Sequence, residues 1–213
     1  MLRYWHTRCQ SLGWAKHPDS ENAPRGPRKD ELRAVLACCG ETLEGRRNRA
    51  LILVLADAGL RAAEILRLTV EDWSPGQRSL FVRGKGGKDP VTFVSPTTTR
   101  AIRDYLAGRR VPRGEDHLFT TRDGRALKQR HLAQVLHRLS ARAGLPQHRR
   151  LHPHALRHLA ATSWLRQGMG LDEVRRLLGH SSLQTTLRYS SQVSADVQRA
   201  HRRAAAIERM GLD

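Results

Sequence analysis

Apolar residues recur at helical spacing along most of the chain. Leu32, Val35 and Leu36 follow one another at i, i+3 and i+4, and Asp30 stands where a side chain can cap the first turn. Residues 49–58 are apolar nearly all round, which is typical of a central buried helix, and Gly59 follows at the usual left-handed end. The same period predicts further helices that begin near Arg61 and Thr97 and that cover residues 127–143, 154–167, 171–178 and 195–210.

The period changes between Trp73 and Ser95. A Pro75-Gly76 turn signal precedes two β-prone runs, residues 79–82 and 91–94, which are joined by the glycine- and lysine-rich residues 84–88. This pattern predicts a hairpin that presents lysines. The fold class that we expect is therefore α+β, mainly α-helical, with a small antiparallel β-sheet on one edge.

The first 27 residues differ from the rest of the chain. They are polar apart from Trp5 and Trp14, and residues 17–27 are rich in helix breakers, which is typical of a linker. We expect two regions: a tail or linker over residues 1–27 and a domain over residues 28–213. The two tryptophans fit the edge of another domain or a tail that folds back on the core.

Charge narrows the class of partner. The chain has 38 Lys and Arg against 20 Asp and Glu, a formal net charge of +18, and a pI near 11.4. Nucleic acid is favoured over a membrane surface, because no long apolar span or basic amphipathic anchor is evident. On charge alone, a nonspecific basic protein remains the alternative. Three cysteines without CxxC spacing, and a start unlike a secretory signal, predict a cytoplasmic, nucleoid-associated protein.

Several residues have the chemistry to bind or activate a phosphate. Arg61 follows the glycine turn, and Glu64 is placed at i+3 to hold it. Lys85 lies between glycines in the predicted hairpin, where it suits general-acid work, and Lys88 suits a phosphate contact.

A second group lies near the C-terminal end. His154 and Arg157 share one helical face at i,i+3, and Pro153 suits the first turn. His152, His154 and His158 are alternatively a zinc cluster, but they lack an acidic or thiol third ligand, so we expect no metal and a structural hydrogen bond for His158. His180 follows a glycine break, and Tyr189 is a phenol that needs cationic surroundings to act as a nucleophile.

The order of these elements resembles the catalytic domain of the tyrosine recombinases, the phage-integrase and Xer-like family. The resemblance covers about residues 28–200. It rests on Ala58-Gly59-Leu60-Arg61-Ala62-Ala63-Glu64, Gly84-Lys85-Gly86-Gly87-Lys88, His154-Ala155-Leu156-Arg157-His158, Leu178-Gly179-His180 and Tyr189.

The resemblance implies a site-specific recombinase that cleaves DNA through a 3′-phosphotyrosyl link on Tyr189 and needs no cofactor. Lys85 would protonate the leaving oxygen, His154 would assist proton transfer, and Arg61, Arg157 and His180 would stabilise the transition state. Phosphate contacts are expected from Lys88, Arg83 and Arg188, and structural support from Glu64 and His158. The expected partners are double-stranded DNA, further copies in a tetrameric synapse and an intact recombinase, with residues 195–210 as an exchange helix.

Three departures from the family pattern stand out. Ala62-Ala63 replaces a Val-Ser-like pair, and Asp89-Pro90 stands where a basic residue is common. The first 27 residues are too few for the N-terminal core-binding domain that clamps DNA in full recombinases, and they resemble its last helix and linker. The resemblance therefore implies an excised fragment, a truncated mobile-element gene or a natural half-clamp protein. A DNA-binding remnant and a type IB topoisomerase-like enzyme remain alternatives. The DNA site, and integration as against excision or chromosome resolution, are not determined by the sequence.

Overall fold

The computed structural model describes residues 26–83, 91–109 and 117–179. Within these ranges the chain forms seven α-helices, one 3-10 turn and three short strands. In chain order they are α1 (Lys29–Ala37), α2 (Leu43–Ala58), α3 (Ala62–Arg67), β1 (Trp73–Ser74), β2 (Ser79–Phe81), β3 (Val91–Phe93), α4 (Pro96–Ala107), α5 (Gln129–Arg142), the 3-10 turn Gln147–Arg149, α6 (Pro153–Arg166) and α7 (Leu171–Leu177).

Helix α2 lies at the centre of the core. Its residues 50–56 are all apolar, and it packs against both α4 and α6. The Oγ1 of Thr42 accepts the Gly45 amide at 3.1 Å and so caps its first turn. Its last turn ends at Gly59, which has a left-handed φ of 63°. The helix therefore delivers the following residue, Leu60, and then Arg61, at a fixed corner of the core.

The three strands form one antiparallel sheet in the order β1-β2-β3. Leu80 faces Thr92 on the buried side, and Phe81 faces Val91 on the exposed side. The Oγ1 of Thr92 donates to the carbonyl of Ala58 at 3.4 Å, which fastens β3 to the last turn of α2. The buried Leu80–Thr92 pair thus orients the sheet against the helical core.

Two groups of buried side chains hold the helices together. The larger one surrounds α2 and includes the stacked rings of Tyr105 and Phe119, whose centroids are 5.9 Å apart. The smaller one lies between α6 and α7, where Trp164 packs beside Val174 and Leu178. None of the helices in the described ranges has the length and apolar character to cross a membrane.

The mainly helical fold with a small antiparallel sheet is as predicted, and most predicted elements begin or end within two residues of the observed ones. The predicted cap at Asp30 was wrong. Arg28 is the N-cap residue, and its amide donates to the carboxylate of Glu31 at 2.8 Å, while Asp30 is exposed within the first turn. Strand β1 and the 3-10 turn were not predicted. The predicted helix over residues 195–210 and nearly all of the predicted tail lie outside the described residues.

Candidate phosphate-binding site

The first arginine of the candidate site stands at the corner between α2 and α3. Gly59 makes the turn, and Arg61 is the N-cap residue of α3. A β-carbon on Gly59 would meet Trp164 of α6 at 3.0 Å and Leu178 at 3.1 Å, so only glycine lets the corner pack this closely. The side chain of Arg61 is 44% exposed. A rigid turn therefore presents a guanidinium at the surface.

Glu64 joins this corner to the second arginine. One carboxylate oxygen accepts the Arg61 amide and the other accepts its guanidinium, both at 2.7 Å. The same carboxylate lies 3.8 Å from the Nη1 of Arg157. The i,i+3 contact expected between Arg61 and Glu64 is present, and Glu64 also places both guanidinium groups around one carboxylate.

Arg157 is far more buried than the i,i+3 spacing suggested. Only 3% of the residue is exposed, whereas His154, one turn earlier on α6, is exposed. Nη1 of Arg157 donates to the Gly59 carbonyl at 2.7 Å, and Nη2 donates to the Leu178 carbonyl at 2.6 Å. These charge-assisted bonds tie the α2 corner and the end of α7 to α6.

The end of α7 contributes backbone carbonyls to both arginines. The carbonyl of Leu178 accepts from Arg157, and the carbonyl of Gly179 accepts from Nη2 of Arg61 at 3.5 Å. The sequence indicated Leu178 and Gly179 only as the residues that precede His180 in the family motif, and it did not predict this role. No side-chain pattern could have indicated it, because the acceptors are main-chain atoms.

The start of α6 is held by a histidine that the sequence had offered only as a metal ligand. His152 is the N-cap residue, and its Nδ1 accepts the Ala155 amide at 3.2 Å. Pro153 occupies the first turn, as predicted. His152 is an exposed residue, but partial desolvation of its ring and the nearby His154 lower its pKa, which favours the neutral ring that this cap requires.

Of the remaining predicted site residues, two lie within the described ranges and five lie outside them. His158 is half-buried, and burial together with the nearby Arg166 lowers its pKa. Arg83 is exposed beyond β2, where it lies 3.5 Å from the buried carboxylate of Asp72. Lys85, Lys88, His180, Arg188 and Tyr189 lie outside the described residues. Across the described part of the chain, no group of three histidine, cysteine or acidic residues could hold a metal ion.

Comparison with known proteins supplies the family. The model of the "Phage integrase family" matches residues 28–195. The tyrosine recombinase XerC of Bifidobacterium longum (strain DJO10A) is 35% identical over 182 residues, which are 80% of this chain and 48% of that protein. The XerC of Chlamydia pneumoniae is 34% identical over 158 residues, 73% of this chain and 50% of that protein. The chain therefore spans about half the length of these curated relatives.

Solved structures agree with the fold. The XerA recombinase superposes with a TM-score of 0.74 at 23% identity, over 90% of this chain and 66% of that one. The XerH site-specific recombinase, bound to palindromic difH substrate in a post-cleavage complex, gives 0.72 at 26% identity, over 91% of this chain and 56% of that one. The family model over residues 28–195 and the relatives of 34–35% identity show that the chain belongs to the phage integrase family of tyrosine recombinases.

Proposed function

We propose that this chain is the catalytic domain of a site-specific recombinase that cleaves and rejoins double-stranded DNA. The main support is that Arg61 and Arg157 converge on one carboxylate, that of Glu64. Their guanidinium groups also donate to the carbonyls of Gly179 and Leu178, the two residues that follow α7. The relative XerH was captured on DNA after cleavage, at 26% identity to this chain. That complex supports a DNA phosphodiester as the substrate here.

The two arginines suit a phosphate that gains negative charge during the reaction. Arg61 is exposed enough to contact a phosphate, and it is already oriented by Glu64 before any ligand arrives. A donor that is fixed in advance stabilises a transition state without a reorganisation cost, and the loss of one such donor costs about a hundredfold or more in rate. Arg157 adds a second positive charge from within the domain.

The chemistry follows from the resemblance, residue by residue. The Tyr189 hydroxyl oxygen would form a bond to phosphorus while the bond from phosphorus to the 5′ oxygen breaks. Lys85 would give its proton to that leaving oxygen, and His154 would assist transfer of the phenolic proton. His180 would bind a nonbridging oxygen, and Lys88, Arg83 and Arg188 would contact neighbouring phosphates. Because the phosphotyrosyl ester conserves the energy of the broken bond, rejoining needs no nucleotide cofactor.

The site assignment has a direct covalent test. Wild-type protein is incubated at roughly 50 mM salt, because low salt strengthens phosphate contacts. The substrate is a pool of nicked DNA duplexes of randomised sequence. Cleavage near the nick releases a short fragment that diffuses away, so that the strand cannot be rejoined and the covalent intermediate accumulates. The expected product is a protein–DNA adduct that survives detergent and is lost in the Tyr189→Phe variant. Tyr4→Phe, a change of the same chemistry in the N-terminal tail, is the matched control. An adduct that persists without the Tyr189 hydroxyl contradicts the assignment.

DNA affinity should depend strongly on salt. Each neutralised phosphate contributes about 0.9 to the slope of log affinity against log salt. A chain of about half the relatives' length should show a lower slope than a full-length XerC measured beside it. A slope near zero would contradict phosphate-driven docking. In a separate assay on supercoiled plasmid, relaxation without strand exchange by the wild type, absent from Tyr189→Phe, would favour the topoisomerase-like or half-clamp alternative.

We extend the proposal to self-association on DNA through residues 195–210. An open groove of about 650 Å³ runs beside β3, α6 and α7, and its large apolar side chains are Phe93, Trp164, Met169 and Leu177. Residues 195–210 carry a matching apolar stripe at Val197, Ala200, Ala204 and Ile207. Truncation after residue 194 should lower the mass of the DNA complex in gel filtration; an unchanged mass argues for packing within one chain.

A further inference from the structure

Glu31 is a buried carboxylate that joins two parts of the chain lying 118 residues apart. It is 6% exposed, and both of its oxygens accept from the guanidinium of Arg149, from Nε at 2.9 Å and from Nη2 at 2.5 Å. One oxygen also accepts the amide of Arg28, at the start of α1. The hydrogen bonds from Arg149 are the first cause that holds the pKa of Glu31 below its usual range. The guanidinium of Arg28 also lies 3.3 Å from Glu31, so the buried carboxylate is ionised and faces two arginines.

Arg149 ends the 3-10 turn, and each of the next three residues before α6 has its own contact. Arg150 contacts the ring of His137 in α5 at 2.5 Å, and His152 caps α6 itself. The amide of Leu151 donates to the buried hydroxyl of Ser140 at 2.9 Å. Each of residues 149–152, which lead into α6, thus has a side-chain hydrogen bond or contact of its own. In the Glu31–Arg149 pair the partner residue comes from α1.

The segment before α1 also lies directly on α6. A β-carbon on Gly26 would stand 3.2 Å from the Cα and the amide nitrogen of Leu159, so main chain meets helix with no space for a side chain. The N-terminal side of the described chain therefore touches α6 at Gly26 and braces its entry at Arg149. Helix α6 carries His154 and Arg157 of the candidate site.

We propose that Glu31 and Arg149 are positioning residues for strand cleavage, because their ion pair sets where α6 begins and so where His154 and Arg157 stand against the DNA. The inference rests on the proposed function. Neither residue contacts the arginine corner; each acts through the backbone between Arg149 and Pro153. Removal of Glu31 takes away the two acceptors of the Arg149 guanidinium, and removal of Arg149 leaves the buried Glu31 carboxylate with the exposed Arg28 guanidinium, 3.3 Å away, as its remaining charged partner. Either change weakens the tie to the 3-10 turn and favours its displacement. Small displacements of catalytic groups reduce the rate of a chemical step strongly.

The test compares Glu31→Gln, Arg149→Met and the double variant with wild type at a temperature where circular dichroism shows every protein fully folded. Glu41→Gln, which removes two exposed ion pairs, with Arg46 and with Arg49, is the matched control. Formation of the covalent adduct is followed against DNA concentration. The maximal rate should fall about tenfold or more in each single variant. The half-saturating DNA concentration should stay within about twofold, because neither residue is one of the proposed phosphate contacts; the control should match wild type.

Two further comparisons separate positioning from simple stability. The double variant should be no slower than the slower single variant, because both changes remove one interaction. Arg149→Lys, which keeps the charge but not the two-point contact, should fall between Arg149→Met and wild type. Unchanged maximal rates in folded single variants, or losses that multiply in the double variant, would overturn the inference. Absence of any wild-type adduct would instead count against the proposed function, so the two failures are distinguishable.

Discussion

Replacement of Gly59 by alanine should destabilise the fold and slow strand cleavage together. At a φ of 63°, a residue with a β-carbon costs about 1–2 kcal/mol. The added carbon would also lie 3.0 Å from Trp164 and 3.1 Å from Leu178, and such overpacking costs about 1–3 kcal/mol. The lower entropy of alanine in the unfolded chain offsets about 0.5–1 kcal/mol of this. We expect the free energy of unfolding to fall by about 2–4 kcal/mol.

Gly144 provides the matched control. Its φ of 74° is also left-handed, but no atom lies within 4 Å of the position of an added β-carbon. Gly144→Ala should therefore cost only the backbone part, about 1 kcal/mol. Urea denaturation followed by circular dichroism gives both values, and the difference between them measures the crowding at the corner. If the two variants agreed within about 0.5 kcal/mol, the close packing of Gly59 against α6 and α7 would be refuted.

Three further predictions concern single side chains. Arg157→Lys should lose the two-point contact with backbone carbonyls and slow cleavage at least about tenfold in the adduct assay; an unchanged rate would contradict a role for the guanidinium. Arg78 has a left-handed φ of 53°, so Arg78→Gly should raise the free energy of unfolding by about 0.5–1 kcal/mol in urea, and a loss would show that its side chain matters more than its backbone. The fold lowers the pKa of His152 from 6.5, so the contribution of His152 to stability is complete above pH 6.5 and is lost as the pH falls through the lowered pKa. Asparagine also caps helices but does not titrate. The melting temperature of His152→Asn should therefore drop less than that of the wild type between about pH 7.5 and 5.5.

The sequence predicted those parts of the fold in which local pattern and tertiary packing agree. The apolar run that became α2 and the glycine at its end are examples, because burial and turn geometry leave few alternatives there. The prediction that Asp30 caps the first helix was wrong for a physical reason. Asp30 has the right chemistry, but Glu31 gains two further bonds to a distant arginine, and with that pair in place the helix is capped at Arg28 instead. A local pattern carries no information about Arg149.

The candidate site could be predicted as a list of residue types but not as an arrangement. Arg61 and Glu64 were placed together correctly because their contact is local. Arg157 was expected to share a surface with His154, yet it points to the carbonyls of Gly59 and Leu178. These acceptors are 98 and 21 residues away and are main-chain atoms, so neither spacing nor side-chain chemistry could identify them.

The last turn of α2 also anchors β3 and the start of α4. The carboxylate of Asp57 accepts the Ser95 amide at 2.5 Å and the Thr98 hydroxyl at 2.7 Å, and the carbonyl of Ala58 accepts from Thr92. The pairing of β2 with β3 and these contacts with α2 hold the two flanks of the lysine-bearing connection, residues 84–90, without using any residue of the connection itself. A connection grafted from another recombinase between β2 and β3 should therefore leave the arginine corner, one turn away, in its place.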